Sequence, residues 1–393
     1  MATTISADTI ILDLDTHTAN EVVLEPAFQY ENIAQNTLGV YMFKFGQDKL
    51  RMTHLSKPGN MLQPRSGCDT WNPTIRLSMR PDEIVVSDYE VNGEQCPDEF
   101  DEGCLRNLRG DMPWTFPNYG PELTALDRAM IEQVRRGLVD DIYKVAHFGD
   151  QSIRLKLAAG DINLDHLSPD QKENFLVQME VTDGWWTEIE GRAYSSDPYQ
   201  KVRYVDSNNG TLAGNATVPA NVAAFLRKLR MTSSMVLRNW NRSGSIEQRP
   251  MYLVQPGIFQ ALLQYYQGLG LEQSFAYIRE GAPVLGVLRF ENHLVVEIPE
   301  WDVYDFETGN MDETTGYSKK QRALFIAPEN LTGVANFRNL QSIPGSGLVV
   351  QNSPVLRDKG KKFIYYAFGM GFGLAQPQLV TAAWNSSDTY VTS

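Results

Sequence analysis

The chain is 393 residues long, with 42% hydrophobic and 21% charged residues, which excludes a disordered chain and leaves room for two or more domains. A net charge of −13 argues against a surface that grips nucleic acid by counterion release. No run approaches a membrane span, the polar start MATTISADTIILDLD lacks a secretory signal, and Cys68, Cys96 and Cys104, an odd number without a C-x-x-C pair, argue for a reducing cytoplasm over a disulfide or zinc scaffold.

Residues 1–65 carry little periodicity and end in the turn-rich KPGNMLQPRSG, so they read as an extended arm. Over 74–92, TIRLSMRP and EIVVSDYEV read as two strands broken at Pro81–Asp82. The clearest helix is 121–148, opened by Pro121, with Leu123, Leu126, Met130, Val134, Leu138 and Ile142 in one apolar stripe. Its other face is charged, so it is expected to lie on the body as a spine roughly 40 Å long. Residues 150–216 read as mixed and loop-rich. A second amphipathic helix is expected over 219–241, then a strand at MYLVQP and the helix GIFQALLQYYQ stopped by Gly268. Strands follow at VLGVLRF, HLVVEIP and RALFIAP, and at the closing pair 347–351 and 362–374. Helices and strands interleave without strict β-α-β repetition, which predicts an α+β fold.

Residues 365–375, YYAFGMGFGLA, sort into two unlike faces if extended. Tyr366, Phe368, Met370, Phe372 and Leu374 share one; Ala367, Gly369, Gly371, Gly373 and Ala375 share the other. Glycines in a strand mark a bulge or a close approach by backbone or ligand. The spacing of Gly369, Gly371 and Gly373 lacks the second gap of a dinucleotide fingerprint and sits inside a strand, so a nucleotide is not the expected visitor.

Chemistry-bearing patterns are few. The histidines at 17, 54, 147, 166 and 293 are scattered and read as surface or satisfied core residues. There is no nucleophile elbow and no phosphate-binding loop. DINLDHLSPDQKE at 161–173 opens like a calcium loop, but His166 stands where glycine is needed and Lys172 where a bidentate glutamate is needed, so it reads as a solvated loop. Trp185 and Trp186 could stack on a sugar or base, although buried packing is the commoner fate of such residues. No catalytic constellation, metal set or cofactor is expected.

Charge is more informative. Asp82, Glu83, Asp88, Glu90, Glu94, Asp98, Glu99, Asp101 and Glu102 follow one another with no lysine or arginine among them. Such a run on a protruding hairpin favours a cationic dock. Arg227, Lys228, Arg230, Arg238, Arg242 and Arg249, against Glu247 alone, offer one. Complementary patches, an arm and no active site point to self-assembly.

The order of elements from about 66 to 384 resembles a major capsid protein of a tailed phage with the Hong Kong 97-type fold. TIRLSMRPDEIVVSDYEV resembles its extended hairpin, 121–148 its spine helix, and 219–241 with RPMYLVQPGIFQALLQYYQ its axial helix, strand and helix. YIREGAPVLGVLRFENHLVVEIPEWDV and QRALFIAPENLTGVANF resemble the strands that follow, and KKFIYYAFGMGFGLAQPQLVTAAW the long peripheral strand with its return. RPDEIVVSDYEVNGEQCPDEFDEG and the helix end HFGD resemble, more narrowly, capsid proteins of phages infecting Bacteroidota.

The resemblance implies an arm at 1–65, an extended hairpin at 66–118, a peripheral domain at 119–149 and 326–375, and an axial domain at 150–325 and 376–393. It implies a non-enzymatic, self-assembling shell of pentamers and hexamers around double-stranded DNA. Portal, scaffold and decoration proteins are the expected partners, with assembly in a bacterial cytoplasm and no membrane. With no long charged helical segment ahead of the arm, a separate scaffold, or one already removed, is expected. The bulky face of 362–374 would lie under the spine helix, and the glycine face would admit an arm or loop, from this subunit or a neighbour. Some relatives lock the shell by joining a hairpin lysine to a neighbour's asparagine. Residues 66–118 contain no lysine, so a non-covalent lock is expected, with the acidic run meeting 219–249 or Arg128, Arg135 and Arg136. A carbohydrate-binding or adhesin-like virion module using Trp185 and Trp186 is the alternative reading.

Overall fold

The structure, a computed structural model, describes residues 12–13, 41–45, 49–55, 79–95, 125–197, 200–206, 217–241, 244–270, 276–279, 282–311, 316–337, 348–352 and 362–385. In chain order the elements begin with β1 (Leu12–Asp13), β2 (Tyr41–Phe45), β3 (Lys49–Leu55), β4 (Met79–Val85) and β5 (Ser87–Gln95). Then come α1 (Ala125–Phe148), α2 (Ile153–Ala159), α3 (Pro169–Met179), α4 (Trp185–Ala193), β6 (Arg203–Asp206), α5 (Pro219–Thr232) and α6 (Met235–Arg238). The rest are β7 (Met251–Val254), α7 (Pro256–Gly268), β8 (Ala276–Arg279), β9 (Ala282–Phe290), β10 (His293–Glu297), α8 (Glu300–Glu307), β11 (Ala323–Ile326), β12 (Leu331–Phe337), β13 (Leu348–Asn352), β14 (Lys362–Leu374) and β15 (Val380–Trp384).

A mixed seven-stranded sheet runs β6-β15-β11-β7-β10-β9-β8, with parallel pairs at β6/β15 and β7/β10. Its central strands are apolar at every position, the pattern of a sheet covered on both faces. Met251, Leu253, Leu324, Ile326, Val296 and Trp384 enter one core, whereas Tyr252, Val254, Phe325 and Val295 enter another. Alternation along each strand makes this division. The first core also holds α1, α3 and α4; the second holds α5 and α7.

The second sheet is built around β14, which has partners on both sides over most of its length. Residues 362–366 pair with β13, 368–374 with β12, and 362–370 with β5. β2 adds to β12 in parallel, and β1 adds to β13. The bulky face of β14 enters the first core: Phe368, Met370, Phe372 and Leu374 are buried with Leu138, Ile142 and Val145 of α1. α1 spans about 36 Å at the helical rise of about 1.5 Å per residue. β3 and β4 form a separate two-stranded antiparallel ribbon.

Several sequence expectations change. The stretch 1–65, read as an arm, contributes β1, β2 and β3, all paired within the chain. The strand break expected at Pro81–Asp82 lies at Val86; Pro81 is tolerated inside β4 because the ribbon is only two strands wide and every strand in it is an edge. β4 and β5 therefore do not form a hairpin with each other. The antiparallel pair is 49–55 with 79–85, so one of its strands lies ahead of the expected 66–118 and brings in Lys49. The lysine-free premise of the lock does not hold for it.

Residues 150–216 carry α2, α3, α4 and β6 where loops were expected. α3 opens on a capping box, Ser168 with Gln171, which satisfies otherwise orphaned donors. The helix expected over 219–241 is two: buried Ser233 ends α5 by bonding the Arg230 carbonyl, and the Ser234 hydroxyl accepts from Leu237 N at 3.0 Å to start α6. Gly268 stays helical in α7, and the turn falls to Gly270, whose φ of 67° suits a residue without a side chain.

Candidate functional site

The glycine face of β14 is covered by the ribbon's own root. A methyl group on Gly371 would overlap the carbonyl oxygen of Val85, and one on Gly369 would overlap the Val86 side chain. At Gly373 it would stand 2.8 Å from Ile84 Cδ1. Ile84, Val86 and Leu50 are buried there with Val334, and Met52 packs against them. The visitor to the glycines is thus residues 84–86 of the same chain, reached without any neighbouring subunit. Only a strand face stripped of side chains lets the ribbon's backbone come this close.

The charged candidates divide among partners within the chain. Asp82 accepts from Arg192 Nη2 of α4 at 2.7 Å. Glu83 pairs with Lys49 at 2.8 Å and Arg51 at 3.6 Å across the ribbon, which holds its carboxyl below the usual range. Arg227 and Arg230 both pair with Glu291. Asp88 and Glu90 lie exposed on β5; Lys228 and Arg238 are half-buried on α5 and α6. Asp98, Glu99, Asp101, Glu102, Arg242 and the three cysteines lie outside the described residues, as do the side chains of Glu94, Arg128, Arg135 and Arg136.

Trp185 and Trp186 are buried, which overturns the sugar-stacking alternative. Trp185 Nε1 donates to the Thr332 carbonyl at 2.9 Å, and its ring meets Phe372 edge-on at 5.4 Å. Trp186 packs edge-on to Trp301 at 5.0 Å. These rings join α4 to both sheets and leave no face for a ligand. His147 is a satisfied core residue: Nδ1 accepts from Trp301 Nε1 at 3.0 Å, and burial alone pushes its pKa down to about 3. His293 Nδ1 lies 2.7 Å from the Pro250 carbonyl. The 161–173 loop is exposed at His166 and serves as the lead into α3.

One polar cluster escaped sequence reasoning. Asp305, wholly buried on α8, accepts from Arg322, from Ser318 and from Gln255 Nε2 at 2.6 Å, while Gln255 Oε1 accepts from Arg322 N at 2.6 Å. The Arg322 guanidinium also stands over the Phe148 ring at 4.8 Å. Beside it, Lys156 pairs with Asp150 at 2.7 Å around a cavity of about 40 Å³, room for water and little else. Burial, then the Asp305 charge, pushes nearby Asp302 up to about 7. The cluster ties β11 to α7, α8 and the end of α1, and the buried Arg322 and Asp305 charges are paired with each other, as burial demands. No signal in local periodicity could have found it, because its members are scattered over 255–322. Among the described residues no group of three or more His, Cys, Asp or Glu is placed to hold a metal, and no helix is long and apolar enough to cross a membrane.

No protein-family profile and no curated protein matches the sequence. Among solved structures, the chain is similar to the mature capsid of bacteriophage PhiM1, at 12% identity over 88% of this chain and 85% of that one, with a TM-score of 0.44. It is similar to the capsid of a native GTA particle at 9% identity, 90% of each chain and a TM-score of 0.46. It is similar to the procapsid of satellite phage P4 at 11% identity, 93% of this chain and 90% of that one, with a TM-score of 0.47.

Proposed function

We propose that the chain is the shell-forming subunit of a tailed-phage capsid with the Hong Kong 97-type fold. The observation that carries this reading is the order and placement of its elements. A two-stranded ribbon leaves the body, a long helix lies across a sheet centred on a long strand, and that strand returns the chain to a second, helix-covered sheet. The sheet around β14 with α1 is the proposed peripheral domain; the seven-stranded sheet, drawn from 203–326 and 380–384, is the proposed axial domain. The narrower likeness to capsids of phages infecting Bacteroidota belongs to the same proposal.

In this reading the protein acts by geometry. A rigid two-sheet body is repeated around symmetry axes, and modest heterologous contacts close pentamers and hexamers into a shell around double-stranded DNA. Its net charge of −13 suits a container that does not grip its contents. Exposed Asp88 and Glu90, with the acids that follow them in sequence, are proposed to face a cationic surface of a neighbouring copy, for which Lys228 and Arg238 are candidates. Portal, scaffold and decoration proteins would complete the particle, assembled in the host bacterium.

Negative-stain microscopy of the purified protein, alone and with its phage's scaffold, tests the reading. Closed hollow particles or capsomer rings are expected. A protein that stays monomeric under both conditions contradicts it.

A further inference from the structure

The ribbon is joined to the body in two ways. Its apolar root, Leu50, Met52, Ile84 and Val86, packs with Val334 against the glycine face of β14. Such contact is non-directional, so it holds the ribbon down without setting its angle. The side chains that alternate with the root face the other way, into solvent: Val85 is 55% exposed and the Arg51 side chain 82%. On the β4 side the chain passes from ribbon to sheet through one residue, Val86, between β4 and β5, and on the β3 side residues 46–48 join the ribbon to β2.

The second connection is directional. Arg192, in the last turn of α4, donates from Nη2 to Asp82 Oδ2 at 2.7 Å and from Nε to Glu188 Oε2 at 2.7 Å. Arg192 and Asp82 are each less than one-fifth exposed, so water screens the pair weakly. A planar guanidinium held by one carboxylate can present its remaining donors in few directions. Its platform is fixed, because Trp185, Trp186 and Ile189 seat α4 in the first core. Among the described residues this is the ion pair that joins the ribbon to a helix of the body.

We propose that Arg192 is the positioning residue of the ribbon: held by Glu188 and bonded to Asp82, it sets the angle at which the ribbon leaves the body. This rests on the shell reading only for its purpose, since a clasp that reaches a neighbouring copy must leave every subunit at nearly one angle for the shell to close.

The test is a distance distribution between spin labels on the unassembled full-length chain, with Cys68, Cys96 and Cys104 replaced by serine and labels at Arg51→Cys on the ribbon and Leu155→Cys on α2. The parent should give one narrow distribution. Arg192→Gln should broaden it, Asp82→Asn should broaden it similarly, and the double variant should be no broader than either single. That non-additivity is the signature of one shared bond and not of general loosening. Exchange of β4 amides should also rise by about tenfold in either variant, while that of 251–254 stays unchanged. If Arg192→Gln does not fold, Asp82→Asn, which leaves α4 untouched, decides the matter. An unchanged narrow distribution in Asp82→Asn overturns the proposal, and so does additive broadening in the double variant. Because the labels are read without assembly, a broadened distribution in a chain that never forms shells would uphold Arg192 and remove the shell reading.

Discussion

The two sheets cover their faces by different means. The seven-stranded sheet is enclosed by helices on both sides, and its strands read as continuous apolar runs such as MYLV and ALFI. Among the described residues, the sheet around β14 has helices on one face; on the other it receives a ribbon of its own chain, and there its central strand carries three glycines. A helix packs through side chains and needs bulky residues opposite it, with interaxial room of about 10 Å. A strand crossing at backbone distance needs that room removed. The glycines are the negative image of Ile84–Val86, and the alternating pattern of β14 records two neighbours of different thickness.

That comparison can be strained from the helix-covered side first. Ile142 of α1 is 1% exposed between the two sheets, so Ile142→Asp places an uncompensated charge in the core and should prevent folding altogether, read as insoluble protein or loss of a cooperative melt. A soluble variant with a normal melt would mean that α1 does not close this core.

Next in size is a pH effect from the same core. His147 is buried neutral with its pKa depressed to about 3, whereas the unfolded chain's histidine titrates near 6.5. Above pH 6.5 neither state binds the proton and the group contributes no pH dependence. Between pH 6.5 and about 3 only the unfolded state binds it, so stability should fall by about 1.4 kcal/mol per pH unit from this group alone. His147→Gln, which keeps an acceptor for Trp301 Nε1, should remove that component. Denaturant melts of both proteins at pH 7 and 5 give the difference, and equal pH slopes would show that His147 is not held neutral.

Gly373, at the edge of the ribbon-covered face, should respond least. At Gly373 the atoms in the way are Cδ1 and Cγ1 of the Ile84 side chain and not backbone, so Gly373→Ala should cost about 1 kcal/mol, at the low end of overpacking, in urea unfolding. A loss as large as that from truncating a core aromatic would place rigid backbone there instead.

Legibility in the sequence followed the same division. The stripe of α1, seen at Leu138 and Ile142 (its earlier side chains lie outside the described residues), and the alternation in β14 could be read locally, and both were. α2, α3 and α4 were not, because helices of 7, 11 and 9 residues present too few apolar turns to stand out from loop. The capping box at Ser168 was available as a signal, but the loop before it drew attention as a metal pattern. Pro81 read as a strand break because a sequence does not say that its strand is an edge. The ribbon's partners were out of reach for a deeper reason: Asp82 meets Arg192 and Gly371 meets Val85 across more than a hundred residues, and only the folded topology sets such pairs. Glycine spacing announced a close approach without naming the visitor.

The central claim is that this visitor belongs to the same chain, and Gly371→Val tests it most directly. Its first side-chain carbon would overlap the backbone carbonyl of Val85, which no rotamer change can relieve. Thermal unfolding of the unassembled protein should show a clear fall in Tm relative to the parent, corresponding to about 1–3 kcal/mol or more. A Gly371→Val protein that melts like the parent but no longer assembles would contradict this, and would assign the glycine face to a neighbouring subunit.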